Sequence, residues 1–189
     1  GISPFDEDYE YYDNVIAGLD YIFKQTSVSN CGKGIVFVLG GQGTHETYST
    51  GIAMMAVAAS REPDRKVGAL GSAVDGLTYM EVLQKNVDYF ECAQLDDGGW
   101  RYWYLDDASD NSNTGYAALG LRYAEDFGVP IPQTLKDNLS DFIDFIQDDI
   151  DGDDYDGASW YAADWRWANL LKTGNLLFEM AFVGDALTD

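Results

Sequence analysis

Thr50-Gly51-Ile52-Ala53-Met54-Met55-Ala56 is a segment that the chain writes three times. Thr114-Gly115-Tyr116-Ala117-Ala118-Leu119 and Thr173-Gly174-Asn175-Leu176-Leu177-Phe178-Glu179-Met180-Ala181 repeat it at spacings of 64 and 59 residues. Upstream of each copy stands a second matched segment: Gly18-Leu19-Asp20-Tyr21-Ile22-Phe23-Lys24-Gln25, then Asn86-Val87-Asp88-Tyr89-Phe90-Glu91-Cys92-Ala93-Gln94, then Asp141-Phe142-Ile143-Asp144-Phe145-Ile146-Gln147. All three share an Asp, an aromatic ring and a closing Gln in register. A unit recurring at a near-fixed period is too small to bury its own apolar face and completes its core against the next copy. The reading is all-α: three antiparallel helical hairpins in one domain, 1–189, with repeats at about 8–62, 77–128 and 133–184.

Local signals set the expected bounds. Tyr12, Val15, Ile16, Leu19, Ile22 and Phe23 recur at the spacing of one apolar helix face, predicting a helix from about Tyr9 to Gln25. The Gly-rich stretch from Thr26 to His45 ends it, and Gly34 to Leu39 is the one alternating, strand-like run. Residues 50–60 are small and apolar, the composition of a helix packed on several sides. A loop from Arg61 to Gly76 precedes Thr78, which has Glu81 three residues on, the capping-box signature of a third helix running to Gln94. After the aromatic loop Leu95 to Asn111, Ser112 or Asn113 is expected to cap a fourth helix that stops at Gly128, before Val129-Pro130-Ile131-Pro132. A fifth helix is expected over about Gln133 to Asp148 and the last over about Ala168 to Val183.

Composition narrows the function classes. The chain has 33 acidic against 11 basic residues, a net charge of −22. Phosphate binding needs a basic patch, so nucleic acid is excluded as a partner on these numbers. No run of about 18 apolar residues is present, so no membrane span is expected. Asp supplies 25 of the acids, many in loops. Two explanations stand side by side: oxygen ligands for Ca²⁺, or an acidic surface that stays soluble where salt screens its self-repulsion. Both point to an extracellular or cell-surface setting. Cys31 and Cys92 fall in neighbouring repeats, where they are either bridged or two free thiols; a bridge would contribute about 4 kcal/mol on the chain-entropy model.

Gln94-Leu95-Asp96-Asp97-Gly98-Gly99-Trp100 followed by Asp110-Asn111-Ser112-Asn113-Thr114-Gly115 resembles the loop and helix start of the terpenoid cyclase and protein prenyltransferase (squalene cyclase-like) superfamily. The likeness is strongest from Leu77 to Gln133 and weakest in the first loop, which has no Trp. It implies part of an (α/α) toroid, with the Thr-Gly helices inside and the Asp-aromatic helices outside, and a member without catalysis. Independently of any family, a Gly-Gly turn permits close backbone approach, and the Gln side chain can bond unpaired backbone groups, stapling neighbouring repeats.

Several candidate sites follow. Asp151-Gly152-Asp153-Asp154 is similar to the acid motif of cyclases that protonate an isoprenoid; on that alternative Asp153 is the general acid and Asp151 and Asp154 raise its pKa. The motif continues Tyr155-Asp156-Gly157 where those cyclases have Thr-Ala, and three hairpins are half of a six-hairpin toroid. Asp149, Asp151, Asp153 and Asp156 form a candidate Ca²⁺ loop, although Asp154 replaces the turn glycine and Trp160 the twelfth-position Glu of an EF-hand. Asp96, Asp97, Asp106, Asp107 and Asp110 form a second acidic cluster. Trp100, Trp103, Trp160 and Trp165 are candidate ring platforms for a glycan or an isoprenoid. His45, the only histidine, is expected to cap a turn or helix, and Gly40-Gly41-Gln42-Gly43 lacks the lysine of a phosphate loop. Taken together, the expectation is a non-catalytic repeat protein, outside the cell or on its surface, that self-assembles into a filament or other homo-oligomer with Ca²⁺ as a reinforcement. An enzyme or ligand-binding module using the aromatic loops is the alternative.

Overall fold

The three repeats fold as six helices, one pair to each repeat, joined by loops that carry their own hydrogen bonds. The computed structural model describes residues 2–38, 45–148, 152, 154, 156–162 and 164–185. In chain order these hold α1 (Tyr12–Lys24), β1 (Thr26–Val28), β2 (Ile35–Phe37), α2 (Glu46–Ala58), α3 (Tyr79–Ala93), α4 (Asn111–Phe127), α5 (Gln133–Ile146) and α6 (Leu170–Val183). The class is therefore mostly helical with a small sheet, a correction to all-α. The strands pair antiparallel, Thr26 with Phe37 and Val28 with Ile35. β2 lies inside the strand-like run Gly34 to Leu39 and is buried at every position, whereas β1, three residues long, is too short to show a period.

Capping explains where helices begin. Thr78 caps α3 as a full capping box: its hydroxyl accepts from the Glu81 amide at 3.2 Å, and the Glu81 carboxylate accepts from the Thr78 amide at 2.7 Å. The cap of α4 is Asp110, not Ser112 or Asn113. One Asp110 oxygen accepts from the Asn113 amide at 2.8 Å and from the Ser112 hydroxyl at 2.7 Å, so both expected caps serve as donors to it. A carboxylate there also meets the positive end of the helix dipole. Gly128 closes α4 at φ +108°, a conformation that favours glycine. Asn169 caps α6 through the Leu171 and Lys172 amides. His45 precedes α2 without a side-chain capping bond, a second correction; its ring instead meets Tyr102 edge-on at 4.9 Å.

The even-numbered helices form a row, with the most extensive packing between α2 and α4 and the next between α4 and α6. On the other helices, α1 packs on α2, α3 on α2, α4 and β2, and α5 on α6. Phe23, Leu83, Tyr89, Phe90, Trp100, Leu121, Leu139 and Phe142 fill the core between the two sets. Cys31 and Cys92 are joined as a disulfide, with Cα atoms 6.1 Å apart, linking the loop after β1 to α3. Among the described residues no helix is long and apolar enough to cross a membrane.

Candidate functional site

Each Thr-Gly pair performs the same two tasks. The threonine hydroxyl accepts a backbone N–H from the loop before its helix: Phe37 to Thr50 at 3.1 Å, Trp100 to Thr114 at 3.0 Å and Ser159 to Thr173 at 3.2 Å. A loop amide that would otherwise be left unpaired is thus tied to its own repeat. The glycine then admits the next repeat. A Cβ on Gly51 would run into the carbonyl of Tyr116 in α4, and one on Gly115 would lie 2.8 Å from the Asn175 side chain in α6. On Gly174 it would meet nothing within 4 Å among the described residues.

The loop glycines tell the same story. A Cβ on Gly34 would strike Lys85 and Tyr89 backbone in α3, one on Gly98 the Asn138 carbonyl in α5, and one on Gly157 nothing within 4 Å. All three have positive φ, between +71° and +89°. Gln94 strengthens the second of these contacts, donating to Gly98 at 2.8 Å and to the Leu135 carbonyl at 3.0 Å, while Asn138 donates to the Gln94 oxygen at 3.1 Å. Repeats one and two therefore each present two glycines that receive the following repeat, and repeat three presents the same two with no contact within 4 Å among the described residues.

The surface around Gly174 has the composition of an interface. Leu170, Leu171, Gly174, Leu177 and Ala181 are exposed along α6, with Leu170 at 88% and Leu171 at 76%, and none carries a charge. By register from the Thr-Gly glycine, Leu170, Gly174, Leu177 and Ala181 match Thr47, Gly51, Met54 and Ala58 of α2, all of which are buried. At the other end of the row, Ile52 is 48% exposed and Ala59 is exposed. Beside them an open groove of about 470 Å³ lies along Tyr21, Ile22, Phe37, Tyr48, Ile52 and Ala56. No acid, lysine or arginine lines it. These uncharged stretches stand out on a chain of net charge −22.

The expected ligand residues separate into two groups. Trp100 is fully buried, its indole N–H donating to the Phe90 carbonyl at 3.0 Å, so its ring has no face left for a ligand. Trp160 is also buried, with the Arg166 guanidinium 4.0 Å over its ring. Trp103 and Trp165 remain at the surface, and Trp167, a ring of the same aromatic loop, stacks on Trp165 at 6.1 Å. Trp165 borders a polar hollow of about 520 Å³ with Arg101, Asp106, Asp107, Tyr161 and Asp164.

Asp149, Asp151 and Asp153, offered as Ca²⁺ ligands and, for the last two, as acid residues, lie outside the described residues, as do Gly40 to Gly43. Asp154 and Asp156 are exposed. Among the described residues no three acids, histidines or cysteines converge as a metal set. The second acidic cluster is largely engaged in loop structure: Asp97 accepts from the Ser109 amide and hydroxyl, Asp106 from the Trp103 amide, and Asp110 caps α4 beside Arg101 at 3.6 Å.

Two acids missed by pattern reading are buried. Glu179 of α6 is fully buried with no hydrogen-bond partner for either oxygen among the described residues. Burial, and then the nearby Asp110 charge, raises its pKa well above 4.5. Burial also raises that of Glu46 at the start of α2. Hydrophobic patterning could not have found Glu179, because a charged residue in an apolar helix reads as its solvent side. No family model, no curated protein and no solved structure matches the chain.

Proposed function

We propose that this is a non-catalytic helical-repeat protein, of the α/α-toroid type that the loop motif resembles, which assembles with copies of itself outside the cell or at its surface. The observation that carries the reading is the uncharged exposed stripe of α6 around Gly174, which occupies the register that α2 buries. Row packing of α2, α4 and α6 supports the hairpin geometry, since each contact within it repeats the last. The engagement of Asp97, Asp106 and Asp110 in loop structure gives them a structural role in place of a catalytic one. Ca²⁺ held by the acidic loop around Asp149 to Asp156 is a reinforcement within this proposal.

Sedimentation velocity across a wide concentration range, in buffers with and without calcium, tests it, with electron microscopy of the same samples. Regular oligomers, rings or filaments are expected; a monomer at hundreds of micromolar in both buffers overturns the reading. Loss of assembly on chelation would assign Ca²⁺ a bridging part.

A second reading has its own observation. Trp165 and Trp167 expose stacked rings beside the hollow of Arg101, Asp106, Asp107 and Asp164, which suits the apolar face and hydroxyls of a sugar. An oligosaccharide panel that raises the melting temperature of the native chain, but not of Trp165→Ala, would support glycan binding.

A further inference from the structure

We infer that the self-contact is head to tail, with Ile52 of one copy seated on Gly174 of another. The inference rests on the self-assembly reading and specifies its interface. Within the chain, the residue after each Thr-Gly pair lies on the glycine of the preceding repeat: Tyr116 on Gly51, and Asn175 on Gly115. Five residues after its own Thr-Gly glycine, Gly120 completes the first of these contacts: a Cβ there would lie 2.8 Å from the Gly51 Cα. The unfilled seat is Gly174. The unplaced knob is Ile52, half-exposed, with Ala56 in the register of Gly120.

Docking α2 of a second copy on α6 therefore continues an interface already formed twice in the row, with Ala56 as the small residue at the place that Gly120 holds in the first of them. It also covers both apolar ends in one kind of contact. A face-to-face pairing of two α6 helices would instead set Leu170 and Leu177 against their own copies and leave the groove at Tyr21 and Ile52 open. The head-to-tail contact is heterologous, so it closes into a ring or extends as an open chain. Each copy carries −22, so association strengthens as salt screens the repulsion between copies.

Two single-cysteine additions test the register, with the native disulfide left intact. Ala56→Cys and Leu177→Cys proteins, which leave Gly174 bare, are prepared separately, mixed at a concentration where the native protein associates, oxidised mildly, and mapped by mass spectrometry; positions 56 and 177 hold the register of Gly120 and Met54, where a Cβ on Gly120 would lie 3.2 Å from the Met54 sulfur. A cross-link between position 56 and position 177 of different chains is expected, in excess of 56–56 and 177–177 links. Equal or greater yields of the like-to-like links overturn the inference, as does the absence of the 56–177 link in an associated sample; in both cases self-assembly itself survives. If the native protein does not associate at all, both readings fail together.

Gly174→Leu gives the second arm. A Cβ there meets nothing within 4 Å among the described residues, so the melting temperature of the monomer is expected to hold or rise while association falls at least tenfold. Association at native strength would overturn the seat.

Discussion

Gly115 and Gly174 stand at the same place in α4 and α6, each following a threonine that holds the loop before it, yet one is filled and the other is bare. The difference is not in the residues. It arises because each repeat is built to receive its successor, and the described chain brings no successor to the third. The second repeat shows the motif occupied, and the third shows the same motif open among the described residues. Stability should follow that contrast, high where repeats interlock and lower toward α6.

The largest effect that would sharpen the comparison is at the bridge between the first two repeats. Replacing both Cys31 and Cys92 by Ser should lower the unfolding free energy by about 4 kcal/mol, read by urea denaturation. A loss below about 1 kcal/mol would mean that the Gly34–α3 contact holds the two repeats together without the bridge.

Next comes the glycine pair itself. Gly51→Ala places a methyl group against the Tyr116 carbonyl and should cost about 3 kcal/mol through forced separation of α2 and α4. Gly174→Ala removes backbone freedom at an open helix position and should stabilise by about 1 kcal/mol. Opposite signs at equivalent positions are the signature of a filled seat and an empty one. Equal signs would break the comparison.

The threonines give a smaller contrast. Thr114→Val leaves the Trp100 amide buried without its acceptor and should cost about 2 kcal/mol. Thr173→Val affects the Ser159 amide in a part-buried bond and should cost about 1 kcal/mol or less. Both are read from denaturant midpoints.

Glu179 provides a change of slope more than of level. Its folded pKa lies above the unfolded 4.5, because burial disfavours the carboxylate. Between those values the folded state holds the proton that the unfolded state has released. Stability is then greatest at and below the unfolded value and falls as pH rises toward the folded one. Glu179→Gln should flatten that fall and raise the melting temperature at neutral pH. An unchanged pH profile would show that Glu179 is solvated in solution.

Much of the molecule could be read from residues near one another in the chain. The capping box of Thr78 and Glu81, the stop at Gly128 and the three Thr-Gly helices each depend on neighbours within a turn or two. Asp110 as cap of α4 escaped, because four consecutive polar residues, Asp110 to Asn113, can all cap and only the carboxylate can accept three of their donors at once. Of the short sheet, β2 lay inside the strand-like run Gly34 to Leu39, while β1 escaped because three residues carry no period. Trp100 and Trp165 were alike as loop tryptophans, but one lies in the core against Phe90 and the other faces solvent.

Residue order alone was enough to set the helices, the capping box of α3, the stop of α4, the repeat register and the glycines of the Thr-Gly pairs and the Gly-Gly turn, since those follow from backbone preferences and spacings of a few residues. It could not say which glycines are covered, that Glu179 is sealed away from water, or that Cys31 meets Cys92. Those outcomes depend on groups some 60 residues apart coming within contact, and such proximity exists only once the helices have packed.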